Sequence, residues 1–147
     1  MSNPSPRKVF ESLLQGISDR RWHELADLYA EDTVVELPFA PGAPTRLEGR
    51  EAVRAHFTTA AVGPLKLRAS NVVIHYTDDP EVVIAEFEYH GQVTTTGRAF
   101  QVSNIQVLRV RNGQIVSSRD YHDHLAIAAA VGGLHQLVSS LTDQGAA

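Results

Sequence analysis

The apolar residues of this chain follow a helical period in its first part and an alternating period in most of the rest. Helical spacing runs through residues 6–30, with a break near Ser18–Asp19, at Val9, Phe10, Leu13, Leu14, Ile17, Trp22, Leu25, Ala26, Leu28 and Tyr29. Spacing of three and four residues predicts two amphipathic helical segments here. A short helix over residues 48–59 is predicted by the same spacing at Ala52, Val53, His56 and Phe57.

Alternation and β-branched residues predict five strands, over residues 33–39, 65–77, 81–90, 97–111 and 114–122. Asn112-Gly113 is typical of a two-residue hairpin between the last two strands. The stretch from Ala40 to Pro44 holds two prolines and a glycine, so it is predicted to be a loop. A final helix over residues 124–141 is expected to break at Gly132-Gly133.

This order of elements predicts an α+β fold. Helices come first, a strand and a helix follow, and a run of antiparallel strands completes the chain. The arrangement expected has the three helices of the N-terminal side packed on one face of a curved antiparallel sheet, whose concave side the helices cannot fill completely. No repeat and no low-complexity linker divides the sequence, so residues 1–147 are expected to form a single domain.

Composition narrows the classes of function. With 13 Lys+Arg against 17 Asp+Glu the formal charge is −4, which argues against nucleic acid and anionic membrane surfaces as partners. The chain has no cysteine, which excludes disulfides, thiolate metal sites and cysteine nucleophiles. Neither an export signal nor an apolar run of about 20 residues is present, so a cytoplasmic protein is expected.

Five segments occur in an order that one known superfamily shares. They are Leu28–Pro38 (LYAEDTVVELP), Leu47–Phe57 (LEGREAVRAHF), Phe87–Gly91 (FEYHG), Val107–Ile115 (VLRVRNGQI) and Ser118–Asp123 (SRDYHD). With them the chain resembles the nuclear transport factor 2-like superfamily, and within it the SnoaL-like polyketide cyclase and ketosteroid isomerase branch. The resemblance implies a cone-shaped α+β barrel with a deep apolar cavity, and a homodimer joined through the outer face of the sheet.

The resemblance also implies an activity of the isomerase, cyclase or lyase kind, but not a standard ketosteroid isomerase. That isomerase uses an aspartate base, a tyrosine and a protonated aspartate. The corresponding positions here are Leu37 for the base, about Leu13 for the tyrosine and Gln106 for the second aspartate. All three side chains differ, so that mechanism is not expected.

The last strand carries the first candidate for chemistry. Alternation puts Ser118, Asp120 and His122 on one face, and the resemblance implies that this face lines the cavity. Histidine suits proton transfer near neutral pH, so His122 is a candidate general acid or base oriented by Asp120. The alternatives are a structural or solvated pair at the cavity rim, or a one-residue slip in register that turns both side chains outward.

The neighbouring strand carries two amides among apolar residues. Asn104 and Gln106 share a face with Val102 and Leu108. Buried amides without partners are costly, so these two could bind a ligand carbonyl and stabilise charge that develops on it. Water, or Asp120 across the hairpin, could equally satisfy them.

The remaining candidates are walls of the cavity and a second base. Aromatic and apolar residues expected to contact substrate are Trp22, Leu37, Phe39, Phe57, Phe87 and Tyr89. Each aromatic residue could instead belong to the plain core. His56 falls at a position that lines the cavity in relatives, and it is a second candidate base.

Neither a metal nor a cofactor is expected. In His122-Asp123-His124, adjacent residues of a strand point to opposite faces, so the three cannot easily converge on one ion. The other histidines show no metal-ligand spacing, and no glycine-rich phosphate loop follows a strand.

Two functions are favoured from sequence over a third, a protein-interaction module, which no obvious aromatic surface patch supports. The first is a cofactor-independent enzyme that acts by acid–base chemistry on a small hydrophobic metabolite bearing a carbonyl. The second is a carrier or sensor that binds such a ligand without turning it over.

Overall fold

Six strands form one curved sheet, and helical segments cover one of its faces. The computed structural model describes residues 2–145. Helix α1 spans Pro6–Ser18 and a 3₁₀ helix spans Trp22–Leu28. The later elements are β1 (Tyr29–Leu37), β2 (Thr45–Glu48), α2 (Arg50–Val62), β3 (Leu65–Tyr76), β4 (Val82–Val93), β5 (Ala99–Arg111), β6 (Gln114–His122), α3 (His124–Ala130) and α4 (Leu134–Gly145). The α+β fold expected from sequence is confirmed.

The strand order is β2-β1-β6-β5-β4-β3, and one pairing differs from the expected antiparallel sheet. Strand β1 runs parallel to β6, whereas all the other neighbours are antiparallel. The fully antiparallel description is therefore wrong for this pair. Sequence alternation indicates strands but not their partners, and β1 meets β6 only when the whole sheet is assembled.

Helix α1 forms where the sequence places a cap and an apolar stripe. The Ser5 hydroxyl accepts a hydrogen bond from the Lys8 N–H at 3.2 Å, and Pro6 occupies the first helical turn. The apolar stripe lies against the sheet with its side chains buried, at Val9, Phe10, Leu13, Leu14 and Ile17. This stripe supplies one wall of the space between helices and sheet.

The β5–β6 hairpin positions the polar side chains of the site. Asn112 and Gly113 have φ values of 52° and 75°, the positive φ at both central positions that a tight type I′ turn requires. A bulge follows the turn, because Val110 lies opposite Ile115 whereas Arg109 lies opposite Ser117. The turn and the bulge together fix the register in which Asn104 lies opposite His122 and Gln106 lies opposite Asp120. The predicted alternation is present, because these four side chains lie on the helix-covered face.

Two local predictions need correction. Strand β1 begins at Tyr29, four residues before the predicted start, and the second helical segment is a 3₁₀ helix that ends at Leu28. Strand β2 was not predicted, since it has four residues and its pattern is mostly exposed. It forms by pairing with the edge of β1, where Val35 lies opposite Leu47. Within residues 2–145, no helix is long and apolar enough to cross a membrane.

Candidate functional site

A cavity of about 170 Å³ lies between the helices and the covered face of the sheet. Its wall is mostly apolar and is contributed by α1, the 3₁₀ helix, β1, β2, α2, β3 and α3. The apolar and aromatic side chains that line it include Leu13, Ile17, Trp22, Val35, Leu37, Leu47, Val53, Phe57, Leu65, Leu67 and Ile127. Strands β5 and β6 supply a polar end.

Asp120 is the central group of this polar end. Its side chain is only 13% exposed. Oδ1 accepts hydrogen bonds from Gln106 Nε2 at 2.8 Å and from the Ser118 hydroxyl. Burial raises the pKa of Asp120, while the hydrogen bonds from Ser118 and Gln106 and the nearby His56 oppose that rise. Both of these hydrogen bonds are made to Oδ1, and the other carboxyl oxygen, Oδ2, is the one nearer to His122.

His122 faces Asp120 in a defined orientation. Its Nδ1 lies 2.9 Å from Asn104 Oδ1. Since an amide oxygen can only accept, Nδ1 carries the proton and donates, and Nε2 of the neutral ring keeps a free lone pair. Nε2 lies 4.0 Å from Asp120 Oδ2. Burial, together with His124 and His56, lowers the pKa of His122 to about 4, so the ring is neutral at pH 7.

His56 lies at the mouth of the cavity on α2. Its ring is partly exposed to solvent and meets the Phe57 ring edge-on at 5.7 Å between centroids. Desolvation by the surrounding protein lowers the pKa of His56, and the charge of Asp120 partly restores it. The three groups expected to supply acid–base chemistry therefore line one cavity.

Two tyrosine hydroxyls complete the polar end, and for one of them, that of Tyr29, the sequence predicts no role in the site. Tyr29 and Tyr89 both line the cavity, and burial raises the pKa of each, with the charge of Asp120 adding to the rise. Tyr29 was counted in the second helical segment. The alternation of Val35 and Leu37 does not extend back to Tyr29, because β1 has an irregularity between Tyr29 and Val34 and Glu31 is exposed.

Most of the predicted contact residues line this cavity. They are Trp22, Leu37, His56, Phe57, Tyr89, Asn104, Gln106, Asp120 and His122. Ser118 is buried behind the wall, where it holds Asp120.

Two predicted aromatic walls lie elsewhere. Phe39 is 67% exposed and meets the Tyr121 ring at 5.1 Å on the other side of the sheet. Strand β1 ends at Leu37, so the alternation that placed Phe39 in the cavity no longer applies in the turn that follows. Phe87 is buried on the expected face, but the Phe10 ring of α1 lies against it at 5.4 Å. It belongs to the core rather than to the cavity wall.

The amides are engaged with the acid–base pair. Gln106 donates to Asp120, and Asn104 accepts from His122. The hydrogen bond that Gln106 donates across the hairpin to Asp120 is one of the alternatives that the sequence left open. Asn104 Nδ2 is buried without a hydrogen-bond partner among the described residues.

Comparison with known proteins identifies the family. The SnoaL-like domain model matches residues 10–118, so the chain belongs to the SnoaL-like family of the nuclear transport factor 2-like superfamily. This confirms the resemblance drawn from the five sequence segments.

Three relatives illustrate the similarity. An uncharacterised PhzA/B-like protein of Pseudomonas aeruginosa is 37% identical over 123 residues, which cover 83% of this chain and 84% of the relative. The fold is similar to that of a Bacillus subtilis protein with a provisional assignment as an isomerase. That crystal structure has a TM-score of 0.81 and 29% identity, covering 87% of this chain and 93% of the other. A Catenulispora acidiphila protein with a ketosteroid isomerase-like fold, crystallised with trimethylamine, has a TM-score of 0.72 and 18% identity, covering 89% and 95%.

Proposed function

We propose that this protein is an enzyme of the isomerase or cyclase type that moves a proton at a carbon next to a ligand carbonyl, without a cofactor. The observation that carries the proposal is the pair formed by Asp120 Oδ2 and His122 Nε2. The two atoms lie 4.0 Å apart at the polar end of an apolar cavity. At this separation a ligand carbonyl oxygen can accept a hydrogen bond from the protonated Asp120 while the adjacent carbon lies beside His122 Nε2.

The proton inventory of the pair suits enolisation. The reactive form has a protonated carboxyl on Asp120 and a neutral imidazole on His122, and burial increases the fraction of molecules in this form. Asp120 donates its proton to the carbonyl oxygen while His122 Nε2 takes the proton from the adjacent carbon, which gives an enol. The resulting carboxylate and imidazolium attract each other in a medium of low dielectric, which stabilises this state. Return of the protons at a different carbon gives the isomer.

The neighbouring groups act as positioning residues in this scheme. Gln106 and Ser118 fix the carboxyl group through Oδ1, and Asn104 fixes the tautomer of His122. His56, at the mouth, is placed to exchange protons between the pair and solvent. The departure from the ketosteroid isomerase residues then reflects a different acid–base pair in the same cavity.

Solvent hydrogen exchange tests the proposal without knowledge of the natural substrate. We expect the protein in D₂O to accelerate deuterium incorporation next to the carbonyl of 2-cyclohexen-1-one or acetophenone, followed by proton NMR. His122→Gln should lose this acceleration, while the control His135→Gln, an exposed histidine on α4, should keep it. Ketones that bind without faster exchange would contradict an enzyme of this type.

A carrier or sensor is the second candidate, and one observation favours it. Leu13 and Leu37, which stand where the isomerase has its tyrosine and its base, both line the cavity as apolar side chains. A carrier would bind the same ketones with no effect on exchange. In that case His122→Gln would change only the affinity.

We further propose that two copies of the chain associate through the outer face of the sheet. Ile105 lies opposite Tyr121 on this face, and Glu86 of β4 separates Ile105 from Val73 in the same row. Val73 is 50% exposed, Ile105 is 41% exposed, and Phe39 lies on Tyr121. These exposed apolar side chains would be covered in a dimer, and a stable interface buries about 800 Å² per partner.

Ile105→Glu is expected to convert the dimer to a monomer, because it buries a charge at the centre of the proposed interface. Analytical ultracentrifugation over a range of concentrations measures the change. The matched control Leu125→Glu places the same charge on exposed α3 and should leave the dimer intact. A wild-type protein that sediments as a monomer at high concentration would overturn the proposal.

A further inference from the structure

We propose that the ligand of the cavity is an uncharged molecule with a single ring or a chain of similar size, carrying a carbonyl or hydroxyl oxygen. The proposal excludes carboxylates and multi-ring skeletons as ligands. It rests on the proposed function for the position of the ligand oxygen beside Asp120 and His122. The size and charge of the ligand are inferred from the cavity itself, and equilibrium binding tests them without any reaction.

The volume sets the size of the ligand. A dry apolar cavity of about 150 Å³ binds benzene. The cavity between the helices and β1–β6 has about 170 Å³, which admits one ring with a short substituent. A four-ring skeleton has several times the volume of benzene, and admitting it would require displacing the core side chains that surround the cavity. Protein interiors resist such displacement because they are close-packed.

The charges of the wall set the charge of the ligand. No lysine or arginine occurs among the cavity-lining residues, all of which lie in the described part of the chain. The Arg50 guanidinium lies behind the wall, where Nε donates to the Tyr29 carbonyl oxygen at 2.8 Å. His56 and His122 both have lowered pKa values, so neither supplies a cation at pH 7. The only charge that these lining residues supply at pH 7 is a negative one, on the ionised fraction of Asp120.

A ligand carboxylate would therefore lose its hydration without gaining a counter-charge. Removing an ion from water into such a site costs several kcal/mol, and ionised Asp120 would add repulsion. An uncharged ligand oxygen has neither this desolvation cost nor this repulsion. It finds donors in the hydroxyls of Tyr29 and Tyr89, which line the cavity and for which the described residues form no hydrogen bond.

Benzamide and benzoate form a matched pair of probes, because they have the same ring and carbonyl and differ in charge. Titration calorimetry at pH 7 should show benzamide binding at least tenfold more tightly than benzoate. Progesterone, a four-ring ketone, should show no saturable binding. Equal or tighter binding of benzoate, binding of progesterone, or no binding of benzamide at millimolar concentration would each overturn the inference.

A charge variant separates the cause from general affinity. Asp120→Asn removes the one carboxylate of the cavity, so the preference for benzamide over benzoate should shrink several-fold. Asp78→Asn, in the exposed turn between β3 and β4, should leave the preference unchanged. An unaltered preference in Asp120→Asn would overturn the role of Asp120 in it. These binding measurements do not depend on turnover. If they contradict the ligand class, the exchange assay still tests the proposed function. If the exchange assay contradicts the proposed function, the ligand class is unaffected.

Discussion

Asp120→Asn is expected to lower the rate of ketone exchange by about a hundred- to ten-thousand-fold, the usual contribution of one general acid or base. The asparagine retains an oxygen that accepts from Ser118 and Gln106, so the local geometry should survive. It lacks the acidic proton that the carbonyl oxygen needs. Proton NMR in D₂O, with saturating ketone, measures the loss of rate.

The stability of the same variant provides an internal control. The pKa of Asp120 is raised in the folded state, so its contribution favours folding at low pH and is lost as pH rises through the folded pKa. Above that pKa the wild-type protein pays for a buried carboxylate, and Asp120→Asn should be the more stable protein in urea at pH 8. The difference should decrease toward pH 4. A variant that keeps its activity, or that unfolds at pH 8, would contradict the assignment.

Acidification is expected to remove about 3 kcal/mol of stability through His122 alone. The folded-state pKa is about 4, while an unperturbed histidine titrates near 6.5, and each pKa unit corresponds to about 1.36 kcal/mol. Because the folded pKa is lowered, the contribution is fully present above pH 6.5 and is lost as pH falls toward 4. Protonation would put a positive charge on the His122 ring, which is 21% exposed and lies near His56 and His124.

Urea denaturation of wild type and His122→Gln at pH 7, 6, 5 and 4 measures the contribution of His122 to the free energy of unfolding. Asp120, whose raised pKa acts in the opposite direction, is present in both proteins, so its contribution cancels in the comparison. The stability lost by wild type between pH 7 and 4 should exceed that lost by His122→Gln by about 3 kcal/mol. His135→Gln, which removes an exposed imidazole, should follow the wild type. Parallel curves for wild type and His122→Gln would show that the buried ring does not resist protonation.

The two predictions concern one pair of atoms, and they connect stability to function. Burial disfavours the ionised carboxyl and the protonated imidazole, which costs stability outside a window of pH. The same burial increases the fraction of molecules in which both groups have the neutral forms that can deliver and accept a proton together. Activity should therefore fall on the acid side with the protonation of His122 and on the alkaline side with the ionisation of Asp120.

The sequence by itself determined the elements in which short-range pattern is decisive. The alternation of Val83, Ala85, Phe87 and Tyr89 predicted one buried face of β4, and all four side chains are buried. Asn112-Gly113 predicted the hairpin, and alternation grouped Asp120 with His122 and Asn104 with Gln106. These inferences succeeded because turn geometry and a period of two are local properties of the backbone. The bulge between Arg109 and Val110, which brings the two groups to one face, was not predicted.

Only the tertiary structure decided which of these faces encloses space and what each group meets there. Phe39 and Phe87 both fit an apolar-wall pattern, yet the end of β1 turns the first outward and Phe10 of α1 covers the second. Tyr29 joined the site because β1 starts earlier than its sequence indicates, where it pairs with Ile115 of β6. The pairing of β1 with β6 and the separation of Asp120 from His122 are long-range results. They depend on how residues distant in sequence pack together, which no local pattern of apolar and polar positions records.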